Sequence, residues 1–253
     1  MSKNYELLQL AGVGLGTART PTTEGKSAAA KYVASGSSED LISLDPGVRE
    51  ETLKLVQRLF LTSEEVAPKA VLFAPVDISG GCGWLCSVVA RLLAKSVTGS
   101  VCLVEGNLRS PSLSDNFGVD CDRGLVDSLE LSGSIRGFAR LIGPDNLWLL
   151  SAGATVQDST LLLNSDRLRD RLAELREEFD YLVINTPPLS AFADGMVLGR
   201  MVDGVVLVLE ADSTRREAAL RVNEGLRNSR IPVLGAVLNS RTFPIPAALY
   251  KRL

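Results

Sequence analysis

The chain has no histidine. That absence removes the imidazole base on which Ser-His-Asp and Cys-His nucleophilic mechanisms depend, and with it a common nitrogen ligand of zinc. Cysteine is scarce as well. The four thiols Cys82, Cys86, Cys102 and Cys121 show no paired spacing of a disulfide framework, so they read as reduced thiols, and no metal site is expected. Positive charge is not in excess: 27 lysines and arginines face 30 aspartates and glutamates, a net charge of -3, which demotes nucleic acid as a partner. No apolar run approaches the length of about eighteen residues that a membrane span needs, and no charged-then-apolar leader opens the chain. A cytoplasmic location is expected.

What remains is the composition of an α/β protein, with 45% hydrophobic and 23% charged residues among 253, enough for one large domain with a single core. Residues 1–46 are rich in Gly, Ala, Ser and Thr and are expected to form a flexible arm; residues 47–253 are expected to form the domain. Within the arm, Gly25-Lys26-Ser27 mimics the end of a phosphate loop. No strand precedes it, and the leading glycine of GxxxxGK[ST] falls on Thr20, so it reads as a polar linker.

From Gly47 onward the texture is regular. A helix is predicted over Val48 to Leu61, apolar at Leu53, Val56, Leu59 and Phe60. Short apolar runs follow at Val71–Ala74, Val101–Val104, Leu147–Leu150, Leu182–Ile184, Val205–Leu209 and Val233–Leu238. Most are continuous rather than alternating, as expected for strands buried on both faces of a parallel sheet. Between them lie amphipathic stretches such as Ser165 to Phe179, with Leu168, Leu172, Leu175 and Phe179 on one face and Asp170, Arg171, Glu174, Arg176, Glu177 and Glu178 on the other. Strand, helix, strand is the rhythm of a mostly parallel sheet with helices on both faces. Ligands of such folds bind at the carboxyl ends of the strands.

The first strand leads into SGGCGWL. Laid on the phosphate-binding pattern GGxGK[ST], this turn keeps Gly80, Gly81 and Gly83, but Trp84 stands where lysine belongs and Leu85 where the hydroxyl belongs. The glycines let backbone N–H groups curl around a phosphate, the lysine charges the outer phosphates, and the hydroxyl holds magnesium. Only the curl is kept. The indole of Trp84 either fills the vacated space, which the gain from burying a wide aromatic surface favours, or lies on the neighbouring surface. The bland alternative for the glycines is a strand-to-helix connection that needs them for backbone conformation alone.

The order of SGGCGWL, LVEGNLRSPSL, GLVDSL, NLWLLSAG, YLVINTPPLSAFAD, DGVVLVLE and VLGAVLN resembles the cytoplasmic domain of the bacterial tyrosine kinases of capsule and exopolysaccharide assembly. These belong to the wider P-loop group with the MinD- and ParA-like ATPases. The resemblance runs from about Val48 to Asn239 and implies a P-loop NTPase-like fold. It also implies a Walker A lysine and hydroxyl, an Asp-x-Asp-x-Arg after the second strand and a Walker B aspartate before Thr-Pro-Pro. Carried over position by position, these become Trp84 and Leu85, Glu105-Gly106-Asn107 with Arg109 kept, and Asn185. Asn239, after the last strand, matches where related folds recognise adenine; a turn-capping role is its plain alternative. Arg109 suits a phosphate or a pairing with Asp115, Asp120 or Asp122, and Asp194 is expected to cap or order the Pro-Pro loop.

Phosphoryl transfer rests on positioning and on neutralising phosphate charge, so these replacements lead to the expectation of a catalytically inactive member. No cofactor and no metal are expected, and Gly80, Gly81, Gly83, Arg109 and Asn239 are at most a weak or vestigial nucleotide site. The expected role is a scaffold or regulator of exopolysaccharide assembly, peripheral to the inner membrane through a partner. That partner would be a membrane chain-length-control (polysaccharide co-polymerase) protein or a related active kinase. The alternative is a divergent active ATP- and magnesium-dependent kinase in which Glu105, Arg109 or Lys95 stands in for missing groups and Tyr250 is the acceptor. A third reading, a MinD- or ParA-like positioning protein, is disfavoured by the LRSPSL and NTPPL segments. The family's ring-forming Glu-x-x-Arg-x-x-Arg has its nearest counterpart in Glu51, Lys54 and Gln57, which makes a ring doubtful and leaves a smaller homo-oligomer open.

Overall fold

The computed structural model describes residues 44–61, 67–78, 81–142, 146–154 and 165–240. Residues 1–43 of the arm expected over 1–46, Gly80 of the glycine turn and Tyr250 lie outside them. Each predicted apolar run is a strand, one with the predicted bounds and the others extended by a residue or two: β1 Ala70–Pro75, β2 Val101–Glu105, β4 Leu147–Leu150, β5 Tyr181–Asn185, β6 Gly204–Glu210 and β7 Val233–Asn239. A further strand, β3 Arg140–Leu141, pairs antiparallel with β4 and completes a seven-stranded sheet in the order β3-β4-β2-β5-β1-β6-β7. The other pairings are parallel. β3 has two exposed residues and no apolar run, so hydrophobic periodicity carries no signal for it.

Successive residues of a strand point to opposite faces, and the two halves of the core follow that parity. Val71, Phe73, Val101, Leu103, Val183, Val206 and Val208 pack on one face against helices α1 (Pro46–Val56), α2 (Cys82–Ser96) and α3 (Leu113–Phe117). Leu72, Ala74, Cys102, Val104, Leu182, Ile184, Val205 and Leu207 pack on the other against α4 (Leu125–Glu130), α5 (Asp166–Glu178), α6 (Asp194–Gly199) and α7 (Arg216–Asn228).

The helix expected over Val48–Leu61 starts earlier and changes character. Asp45 caps it by accepting from the N–H groups of Gly47 and Val48, Pro46 opens its first turn, and a π-helical turn, Gln57–Leu61, follows Val56. The wider turn keeps Leu59 and Phe60 buried beside Val56, with the Phe60 ring set edge-on to Tyr181. α5 runs as expected, capped by Ser165, with one correction: Arg171, placed by the sequence on the polar face, is buried. Its Nε donates to Ser128 O, Nη1 to Gly133 O and Nη2 to Leu131 O, while Nη1 also reaches Glu174. Those carbonyls end α4 and its following turn, and a guanidinium can satisfy several at once where a shorter cation cannot.

Candidate functional site

Strand register builds the site. Glu105 and Asn185 are Cα partners across β2 and β5, and Glu210 and Asn239 are Cα partners across β6 and β7. All four share parity with the strand residues that face α2, so their side chains project toward the helix whose N-cap is Gly81.

Glu105 is buried, and its two oxygens are saturated. Oε1 accepts from Asn185 Nδ2 at 2.7 Å and from Asn107 N at 3.2 Å; Oε2 accepts from Ser112 N at 2.8 Å and Leu113 N at 3.0 Å. Burial pushes its pKa above the ordinary carboxylate value, and the backbone donors with Asn185 pull it part of the way back. Asn185 is itself enclosed, with the Cys86 sulfur 4.0 Å from its Oδ1. Burial holds the Cys86 thiol well above its usual pKa, so it faces Asn185 as S–H. Four N–H donors on one carboxylate leave it no lone pair directed at a cation.

Asn107 turns back on its own loop, accepting from Ser110 N at 3.2 Å. Arg109 pairs with neither Asp115, Asp120 nor Asp122. Its Nε donates to Asp194 Oδ2 at 2.9 Å and Nη2 to Asp194 Oδ1 at 3.2 Å, and the guanidinium lies 4.3 Å over the Phe192 ring. Asp194, expected to cap or order the Pro-Pro loop, is thus tied to the loop after β2. It occupies the first position of α6 as the buried half of an ion pair, 2% exposed against 32% for Arg109. The Pro-Pro loop is also held by Leu189 N and Ser190 N, which donate to Pro75 O and Val76 O.

Around the glycine turn, Leu85 is buried and Trp84 is half-buried against the core cluster of α1, α2 and α3. A Cβ placed on Gly83 would collide with Ser112 Oγ, and one placed on Gly81 would collide with Asn239 Nδ2, so a side chain at either position would make Ser112 or Asn239 shift. Asn239 donates to Glu210 Oε2 at 3.4 Å while its own carbonyl accepts from Ala211 N. Lys95, a candidate stand-in cation, lies in the last turn of α2, about 20 Å from Gly81 at the rise of an α-helix. The structure thus joins Glu105, Asn107 and Asn185 in one network, sets Gly81 beside Asn239, and leaves Lys95 remote. Ser112, Cys86, Asp194 and Glu210 are the members that sequence reasoning missed or misplaced. For Glu210 the available signal was parity, since it sits two residues beyond Val208 on the same face of β6.

The side chains at the positions of the phosphate-binding pattern differ from those a magnesium-bound triphosphate calls for. Leu85 offers no hydroxyl, Asn185 no charge, Glu105 no free oxygen and Trp84 no cation. Two clefts line the surface elsewhere. One of about 250 Å³ lies between Asp120–Arg123 and Gly137–Arg140, and one of about 470 Å³ sits at the amino ends of the strands beside Lys69, Ser96, Asp180 and Tyr181.

No family model matches the chain. Curated relatives do. The tyrosine-protein kinase YwqD of Bacillus subtilis is 28% identical over 141 residues, which are 56% of this chain and 60% of that protein. The putative tyrosine-protein kinase CapB of Staphylococcus aureus is 28% identical over 185 residues, 73% of this chain and 75% of that one. Among solved structures, the VpsO kinase domain superposes with a TM-score of 0.67 at 25% identity, covering 78% of this chain and 98% of that domain. The chimerical protein CapA2B2 gives a TM-score of 0.71 at 17% identity, over 77% and 85% of the two chains, a likeness of fold. By sequence and by fold together, the chain is a homologue of the bacterial tyrosine-protein kinases and carries the P-loop architecture of their kinase domains.

Proposed function

We propose that this chain is a catalytically inactive tyrosine-kinase-like protein that acts by binding, as a scaffold or regulator in bacterial exopolysaccharide or capsule assembly. The observation that carries the reading is the Glu105–Asn185 network. In a working P-loop enzyme the corresponding carboxylates serve a metal ion; here an amide donates to the surviving carboxylate and three backbone N–H groups take its other positions. A network with every member satisfied is a stable end state without any ligand. The partner in this reading is a membrane chain-length-control protein or an active kinase of the same pathway. Two facts support a two-component arrangement: CapB is among the relatives, and a structural neighbour is a CapA2B2 chimera. A scaffold of this kind presents one fixed arrangement of the strand-end loops, and a partner that prefers that arrangement is served without nucleotide turnover. Lys54, in the region compared with the ring-forming motif, is paired within α1 to Glu50 and Glu51.

The test is calorimetric titration of the full chain with magnesium-ATP, together with a phosphate-transfer assay using labelled γ-phosphate. The expected result is no saturable binding up to millimolar ATP and no label on the chain. Micromolar binding with label on Tyr250, abolished by substituting Glu105 or Arg109, would establish the divergent kinase instead.

A further inference from the structure

We propose that the outward face of α7 is a self-association surface, on which two copies of this chain pair about a two-fold axis at Leu220. The proposal goes beyond the reading of an inactive domain and involves no residue of the strand-end network.

α7 is divided between two faces. Leu226 is buried, and Ala218, Ala219 and Val222 pack half-buried against the core. On the other side Arg216, Glu217, Leu220, Arg221, Glu224 and Arg227 are exposed, with Leu220, at 49%, in the middle of the charges. A single exposed leucine is ordinary; its flanking charges give it a direction. Arg216, Leu220 and Glu224 stand at i, i+4 and i+8 on one ridge of the helix, the cation about 6 Å before the leucine and the carboxylate about 6 Å after it. A two-fold axis at Leu220 exchanges these places between copies. It sets leucine against leucine and gives each Arg216 the second copy's Glu224. The same rotation puts Glu217 opposite Asn223 and Arg227 opposite Ser213, so no like charges meet. Ridges of this i±4 spacing, packed into one another, are the commonest helix contact of globular proteins.

The charges are also available for that use. Among the described residues the arginines and glutamates of α7 form no ion pair within the chain. α1 and α5, by contrast, pair several of theirs, through Lys54 with Glu50, Arg169 with Asp166, Arg171 with Glu174 and Arg176 with Asp203. A helix of 13 residues offers a face about 20 Å long, which is small for an interface and sets a weak, micromolar dimer.

The test is sedimentation equilibrium of the full chain without nucleotide, up to about 500 µM, the range a small interface requires. A monomer–dimer equilibrium is expected, weakening as sodium chloride rises toward about 0.5 M. Arg216→Glu sets acid against acid at both ends of the contact, and Glu224→Arg sets base against base. Each is expected to weaken self-association by about tenfold or more. Mixing the two variants makes both ends attractive again, as does combining the two substitutions in one chain, and either is expected to restore the dimer. The substituted side chains are exposed, and circular dichroism melts verify that the fold is kept. A wild type that stays monomeric, a dimer that neither reversal weakens, or a loss that mixing does not restore would overturn the proposal. ATP binding by wild type in the calorimetric titration would remove the inactive reading and leave this decision unaffected.

Discussion

At the scale of single residues, the amide at position 185 shapes its surroundings most. Asn185 Nδ2 lies 2.7 Å from a carboxylate oxygen of Glu105, which is 1% exposed. An aspartate in the same place would set two like-charged oxygens at that separation, and one of them would have to hold a proton. The sign follows from linkage. Glu105 already has its folded pKa raised by burial, and a second carboxylate raises the pair's upper value further. Stability from a raised carboxyl is complete below the unfolded pKa and is lost as pH rises through the folded one. Asn185→Asp is therefore expected to match wild type near about pH 4 and to lose about 3 kcal/mol at pH 8. Urea unfolding across that range checks it; curves that stay parallel would remove the idea that the amide relieves charge repulsion. The sequence displayed this site only in part. The glycines, Trp84 and Leu85 are readable from one local pattern, and Glu105 and Asn185 from their places after strands. The saturation of Glu105 by Ser112 and Leu113, seven and eight residues onward, is a matter of how a loop returns, which spacing does not encode.

At the scale of elements, continuous apolar runs located the strands that are buried on both faces, because burial leaves an unambiguous pattern of side chains. The same logic misjudged Arg171. Periodicity assigns every charged residue of α5 to solvent, yet this one serves the carbonyl end of α4, which lies more than forty residues earlier. A helix end that is buried needs donors from somewhere, and the sequence does not say from where. The prediction at this scale is that Arg171→Met, which preserves the apolar stem, costs about 3 kcal/mol by stranding buried carbonyls. Arg171→Lys should recover only a minor part, since an ammonium cannot span Ser128 O, Leu131 O and Gly133 O together. Equilibrium urea denaturation measures both, and full recovery by lysine would mean that charge rather than the forked geometry stabilises the α4–α5 junction.

For the whole molecule, the question is which contacts of the chain itself fix the loops at the carboxyl edge of the sheet. Glu105 and Asn185 join the ends of β2 and β5, the Gly106 N–H donates to Asn185 O at 2.8 Å, and Leu189 and Ser190 bind the β5 loop to the end of β1. Arg109 and Asp194 add the outermost link, from the β2 loop to α6. This link is the asymmetric one, with a carboxylate almost wholly buried and an arginine still partly in water, so removing the arginine strands the charge whereas removing both does not. Arg109→Ala is expected to destabilise the domain by about 3 kcal/mol, and Arg109→Ala combined with Asp194→Asn by distinctly less. Hydrogen exchange gives the spatial readout: in Arg109→Ala the amides of Leu189, Ser190 and the first turn of α6 should lose protection together with those of the loop after β2. A loss confined to the β2 loop would show that the strand ends are ordered separately, and a domain ordered in that way could not hold out a single loop arrangement to a partner.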